Sequence, residues 1–424
     1  MTDAPAPAHP VKTFLTGLAA LLLLLTGGVV TVAAFSHAIS SIKGDERQRS
    51  LDPFYVAPPH WQHDAPGTLL RAERVGGVPD QGIGWRVLYV TQRADGTPAV
   101  SSGLVFAPGP HAPTAPASGR PVVAWAHPTT GMGPSCAPSR TPNVESDVQG
   151  LGDFLSSGWV VAATDYAGLG TPGVSQYLVG AAEAHDVLNS VRAARQIPET
   201  NAGTMVGIWG HSQGGQAALW AADLRSYAPE LDVVATAAAA PAAELPILIS
   251  HQWNTIYGSL IGAEVLVAYP ATYPAARPAE VTTESPAAIS TLANKCVESA
   301  ALDIVVATAF GRAPLLDKNP ISVPSWRPSL AANTPPPPTI PTFIAQGLKD
   351  PIVLPGSTAA YLDEACASHA PIQGVFIGDL GHMKAGATAA PIVYTWLQQR
   401  FAGVPMTSTC GTRLPVPALS VASG

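Results

Sequence analysis

The stretch Thr204-Met-Val-Gly-Ile-Trp-Gly-His-Ser-Gln-Gly-Gly215 leaves this chain few folds to choose from. A short apolar strand runs straight into Gly210-His211-Ser212-Gln213-Gly214, and a helical run of Ala, Leu and Trp follows from Gln216 to Tyr227. Strand, sharp turn and helix around G-x-S-x-G make a nucleophile elbow. The turn residue must adopt a strained backbone, and side chains at the flanking glycines would clash with the neighbouring strand and helix. With 39 glycines in the chain the bare pattern carries little weight. Its placement at a strand-to-helix junction carries much more. Such a turn lifts Ser212 Oγ clear of a sheet and turns the N–H of Gln213 toward a developing oxyanion.

The elements around the elbow alternate as an α/β sheet requires. Residues 85–91 and 100–106 read as a hairpin joined through Ala94-Asp-Gly-Thr-Pro98. Residues 121–126 and 158–164 are continuous apolar runs suited to buried parallel strands. A helix over about 179–196 presents Ala182, Val187, Val191 and Ala194 on one face. Further strands follow at 231–240, 339–346 and 373–378, with helices near 357–366 and 385–401. The expected fold class is α/β, a mainly parallel sheet flanked by helices. Residues 241–335 break the rhythm with apolar helical runs separated by prolines, and read as an inserted lid or cap. The core therefore divides into 52–240 and 336–410, followed by a flexible tail over 411–424.

The N-terminus has its own character. Phe14–Phe35 is an unbroken apolar run, preceded by a short segment carrying Lys12. Small-residue sites at Val32-Ala33-Ala34 and Ser36-His37-Ala38 fit a cleaved signal peptide over 1–38, with a linker over 39–51. The run is also long enough for an uncleaved anchor, which makes residues 14–35 a membrane attachment. Either reading places the remaining chain outside the cytoplasm. Four cysteines beside an export signal favour two disulfides, and composition leaves all three pairings of Cys136, Cys296, Cys366 and Cys410 open.

Charge excludes one class of partner. The net charge of −7 gives no electrostatic basis for nucleic-acid binding, while neutral esters and lipids remain compatible. No C-x-x-C, H-E-x-x-H, Walker A or EF-hand pattern is present, so neither metal nor cofactor is expected. Gly168-Leu-Gly-Thr-Pro-Gly173 matches G-x-G-x-x-G, but it follows a middle strand and carries Pro172, and reads as a loop. No residue pattern points to a particular oligomeric state.

An activated serine needs a base, and the base an orienting acid. On this architecture the order along the chain is Ser, Asp or Glu, then His, each at the C-terminal edge of the sheet. Asp350 follows the strand 339–346, and His382 follows the strand 373–378 on what reads as a loop. His211 should point away from the nucleophile and is read as structural, and His127, His185 and His251 have no evident partner. A second oxyanion donor belongs on the loop His127-Pro-Thr-Thr-Gly-Met-Gly133. Pro128 has no N–H, which leaves Thr129, Thr130 or Gly131.

Several stretches together resemble a known family. Pro121-Val-Val-Ala-Trp-Ala-His-Pro-Thr-Thr-Gly131 with Cys136-Ala-Pro-Ser139, Ala163-Thr-Asp-Tyr-Ala-Gly-Leu-Gly170, the elbow, Ser226-Tyr-Ala-Pro-Glu-Leu231 and Gln346-Gly-Leu-Lys-Asp350 are similar to the secretory lipase family. The resemblance runs over roughly 52–410. It implies an α/β-hydrolase fold with a helical lid, and metal-free esterase or lipase activity on small-molecule or lipid esters. It further implies a triad of Ser212, Asp350 and His382, oxyanion donors at Gln213 and Thr130, and disulfides Cys136–Cys296 and Cys366–Cys410. Pro128 departs from the family, whose members often carry Gly there.

Overall fold

The computed structural model describes residues 46–141, 148–297 and 314–422. The expected signal or anchor segment lies outside the described residues. The chain divides at Pro53/Phe54 into two units. In the first, residues 46–53 are helical.

Nine strands form one sheet among the described residues: β1 (Leu69–Val75), β2 (Ile83–Gln92), β3 (Pro98–Ala107), β4 (Arg120–Ala126), β5 (Val160–Thr164), β6 (Ala202–His211), β7 (Asp232–Ala239), β8 (Thr342–Gly347) and β9 (Ile372–Ile377). Their order is β1-β2-β3-β5-β4-β6-β7-β8-β9. The first four neighbouring strands pair antiparallel, and β5 through β9 are parallel, so the sheet is mainly parallel as expected. The β2–β3 hairpin closes through Arg93 N to Thr97 O, with Gly96 at φ 81° and Asp95 Oδ1 accepting from Thr97 N. Glycine is the residue that takes such a φ without cost, and Asp supplies the local hydrogen bond.

The central strands are apolar on both sides because both sides are covered. Val122, Ala124, Val160, Ala162, Val206 and Ile208 face one core. The alternate residues Val123, Trp125, Val161 and Trp209 face the other. Helices α2 (Gly180–Ala194) and α3 (Gln213–Asp223) cover the first face through Val187, Val191, Ala217 and Ala221. Helix α1 (Leu151–Ser156) and helix α9 (His382–Phe401) cover the second through Phe154, Val393 and Leu397.

Between β7 and β8 the alternation stops. This region holds α4 (Leu245–Gln252), α5 (Ile256–Thr272), α6 (Pro286–Ala293) and α7 (Arg327–Ala331). Local chemistry sets their starts. Thr255 Oγ1 caps α5 by accepting from Gly258 N, and Ser285 Oγ caps α6 by accepting from Ala288 N, with Pro286 at the first helical position. After β8, helix α8 (Pro355–Ala367) leads to β9 and then α9. The segment beyond Cys410, expected as a flexible tail, is instead hydrogen-bonded as far as Ala422. Leu419 N donates to Gly356 O on α8, Ala422 N donates to Ser250 Oγ, and His251 Nε2 meets Ser420 O at 2.9 Å on α4.

Candidate active site

Ser212 sits between β6 and α3 with φ 58° and ψ −118°, a strained conformation for a residue with a Cβ. Its N–H donates to Ala239 O at 2.9 Å, which fastens the turn to β7. A Cβ on Gly210 would lie 2.0 Å from Gly214 O, and one on Gly214 would lie 1.9 Å from Ala126 O. Neither is possible, so the motif's glycines are required by contact with backbone. Helix α3 begins at Gln213, directly behind the serine.

Three of the expected residues meet here. His382 Nε2 lies 2.9 Å from Ser212 Oγ, and His382 Nδ1 lies 2.8 Å from Asp350 Oδ2. All three side chains are buried. An ionised carboxylate only accepts, so Nδ1 carries the proton and Nε2 is left to accept from the serine. Asp350 Oδ1 in turn accepts from Ile352 N and Val353 N, each at 2.9 Å. Gln346 Nε2 approaches Oδ2 at 3.3 Å. Asp379, three residues before His382, is exposed.

His382 is not on a loop. It is the first residue of α9, with Gly381 as the cap, and the helix starts three residues before its expected position. The dense small residues from Ala385 onward gave the helical signal, and the first turn lacks an apolar stripe that would have extended it. His211 also differs from expectation. Its ring packs against that of His382, centroids 5.0 Å apart, and neither ring nitrogen has a hydrogen-bond partner. Burial, and after it the charge of His382, pushes the His211 imidazole down to about 3, so it stays neutral.

The histidines left without an evident partner by the sequence, His127, His185 and His251, acquire one here. His127, in the loop after β4, is buried with Nδ1 2.6 Å from Pro128 O, Nε2 3.2 Å from Asp165 O, and its ring against Tyr166. His185 stacks on Tyr227.

The loop after β4 is pinned to the end of α6. Met132 N donates to Ala293 O, and Val297 N donates to Thr130 O. Gly131 has φ 104°, and a Cβ there would lie 2.3 Å from Lys295 O. The Cys136–Cys296 disulfide joins the same two segments, and Cys366–Cys410 joins α8 to the chain beyond α9. Of the loop's threonines, Thr129 borders the cavity beside Ser212 and Gln213, and its Oγ1 lies 2.8 Å from Tyr177 OH. Thr130 Oγ1 is buried without a partner.

That cavity is walled mainly by the segment between β7 and β8. Leu245, Leu248 and Ile249 of α4 and Ile261 and Val265 of α5 line it. Ile247, the neighbour of Leu248, does not line it. The helical period carries 245, 248, 249 and 252 to one face and turns 247 away.

Sequence reasoning missed Glu183. This buried carboxyl on α2 accepts from Gln213 Nε2 at 2.7 Å and from Leu178 N at 2.9 Å. A signal existed: Glu183 stands four residues before Val187 and eight before Val191, on the helix's buried stripe.

Comparison with known proteins agrees with this architecture. The chain is similar to a probable inactive lipase of Mycobacterium tuberculosis, 28% identical over 390 residues, covering 84% of this chain and 83% of that one. It is similar to lipase A of Arthroderma benhamiae, 25% identical over 86% of this chain and 82% of that one. Among solved structures it shares its fold with Candida antarctica lipase A, at a TM-score of 0.70 and 21% identity over 87% and 89% of the two chains. A rice cell wall degrading esterase of Xanthomonas oryzae has a TM-score of 0.66 and 21% identity, over 81% of this chain and all of that one. The model of the secretory lipase family matches residues 135–409, most of the chain including the elbow, Asp350 and His382, and the chain therefore belongs to the secretory lipase family of ester hydrolases.

Proposed function

We propose that this chain cleaves acyl esters through an acyl-enzyme on Ser212. The observation that carries the reading is the continuous hydrogen-bonded path from Asp350 through His382 to a serine bordering an apolar cavity. In this reading Ser212 Oγ attacks the ester carbonyl carbon while His382 Nε2 takes its proton. The carbonyl electrons move to oxygen, where the N–H of Gln213 and a donor from the loop carrying Thr129 and Thr130 receive them. The resemblance favours Thr130 for that donor. Collapse of the tetrahedral intermediate expels the alcohol, which takes the proton from His382. Water then repeats the sequence and frees the acid. Asp350 holds the Nδ1–H tautomer and the imidazolium that forms twice per turnover.

The apolar lining argues for an acyl chain in the cavity, with residues 241–335 as lid and pocket wall. Triacylglycerols are one such ester class, and a short-chain esterase or an acyl transfer to alcohol uses the same machinery. Export through residues 1–38 agrees with the family, and residues 14–35 supply either a cleaved signal or an anchor. Among the described residues no helix is long and apolar enough to cross a membrane.

A second reading, a non-catalytic binding protein, is raised by the Mycobacterium tuberculosis relative, which is described as probably inactive. A fluorophosphonate probe separates the two. Labelling at Ser212, with turnover across a panel of soluble and emulsified esters of increasing acyl length, is the expected result. A folded protein that neither labels nor hydrolyses any ester favours the binding reading.

A further inference from the structure

Glu183 stands apart among the buried polar groups the mechanism does not use. Its Oε1 joins two parts of the site. Gln213 Nε2 donates to it at 2.7 Å, and Gln213 is both the residue after the nucleophile and the first residue of α3. Leu178 N donates to the same oxygen at 2.9 Å, and Leu178 borders the cavity with its backbone in the left-handed region at φ 54°. Glu183 Oε2 is buried without a partner. A lone acceptor oxygen therefore braces the elbow's helix start and a strained piece of pocket wall against each other.

We propose that Glu183 is a positioning residue for the reaction at Ser212: through Gln213 it fixes the main-chain N–H that faces the oxyanion, and it does so as a neutral carboxylic acid. This rests on the Ser212 reading given above. The charge state follows from the surroundings. Among the described residues, Asp186 on the same helix, Tyr166 and Tyr177 in the preceding loop, and Glu264 and Tyr269 on α5 are the titratable groups facing Glu183, and none is a cation. Burial, opposed in part by the Gln213 and Leu178 hydrogen bonds, pushes Glu183 up to about 8. Burial pushes Glu264 up as well, and the charge of Glu183 adds to it. Ionisation of Glu183 would put an unpaired charge beside a second buried acid, directly behind the oxyanion donor. The donor's geometry matters because a preorganised N–H helps only when it meets the oxygen at hydrogen-bonding distance in the transition state.

The test compares wild type, Glu183→Ala and Glu183→Gln on a soluble ester across pH, with fluorophosphonate labelling of the wild type alongside. Glu183→Ala is expected to lower kcat about 10–100-fold with KM changed less than about threefold, since the lost alignment acts on the transition state. Glu183→Gln keeps an acceptor oxygen without a charge. It should restore kcat to within about threefold of wild type near neutral pH, and it should remove the decline in kcat expected of wild type above about pH 8. An alanine variant within threefold of wild type, a glutamine variant as impaired as alanine, or an unchanged alkaline decline in the glutamine variant each overturns the proposal. Should Glu183→Ala fail to fold, Gln213→Met breaks the same bond from its other end and keeps the main-chain N–H. An unimpaired Gln213→Met then overturns it. A wild type inert to both probe and ester overturns the Ser212 reading and this proposal together. A wild type that labels and turns over, with an indifferent Glu183→Ala, overturns this proposal alone.

Discussion

Asp350 and His382 stand 32 residues apart in the chain and 2.8 Å apart in the fold. The amides of Ile352 and Val353 hold Asp350 Oδ1, which leaves Oδ2 facing the imidazole. Asp350→Asn keeps the shape but favours the wrong tautomer of His382. It is expected to cost about 10³–10⁴ in kcat. Asp379 is exposed, and Asp379→Asn should cost about tenfold or less, through the turn before α9. Both variants measured in one assay decide the matter, and a larger loss at Asp379 would transfer the acid's role to it.

Ser212→Ala removes the proposed nucleophile while leaving the strained turn and its glycines in place. Ester hydrolysis should fall by about 10⁴-fold or more, with the circular dichroism spectrum and melting temperature near those of wild type. Activity within tenfold of wild type would mean that another group carries the acyl chain.

The disulfides Cys136–Cys296 and Cys366–Cys410 span sequence separations of 160 and 44 residues. The chain-entropy model gives about 4–5 kcal/mol for each as an upper figure. Peptide mapping of the exported protein without reductant should recover both pairs. Free thiols, or Cys136 joined to Cys366, would contradict the pairing. Opening Cys136–Cys296 by double alanine replacement should reduce activity more than opening Cys366–Cys410, because it frees the loop carrying Thr129 and Thr130.

Leu248 and Ile261 line the cavity and Ile247 does not. Enlarging either lining residue to Phe should shift preference toward shorter acyl chains, by about 1–3 kcal/mol per excluded methylene at most. Ile247→Val should leave the profile unchanged. A chain-length profile that is unmoved by both lining variants would place the acyl group elsewhere.

Glu244 stands immediately before α4 without capping it, and one of its carboxyl oxygens is buried without a partner. Burial, followed by the charge of Glu364, pushes it up to about 7 from 4.5. The stability it contributes as a neutral acid is complete below about pH 4.5 and is lost as the pH rises through about 7. Urea unfolding at pH 5 and pH 8 should show wild type losing up to ~3 kcal/mol more than Glu244→Gln over that interval. Equal losses in the two proteins would exclude Glu244 as a source of the pH dependence.

Much of this molecule was legible because its signals are local. The elbow declares itself through glycines whose missing Cβ atoms are demanded by atoms a few residues away or on the adjoining strand. The central strands declare themselves by apolar runs, since a strand covered on both faces has no room for alternation. From these, the chain order of Ser212, Asp350 and His382 and the mainly parallel sheet could be read directly. Other features depended on contacts that no local pattern encodes. Strand β1, Leu-Leu-Arg-Ala-Glu-Arg-Val, alternates too weakly to be seen and exists because the edge of β2 accepts it. The start of α9 moved back to His382 because the chain there meets the serine and the acid. Ile247 was set apart from Leu248 by the orientation of α4, and the tail after Cys410 was held by α4 and α8. The bond between Glu183 and Gln213 joins residues 30 apart. It exists because α2 and α3 pack side by side on one face of the sheet, and only that packing removes the water that would otherwise satisfy both side chains.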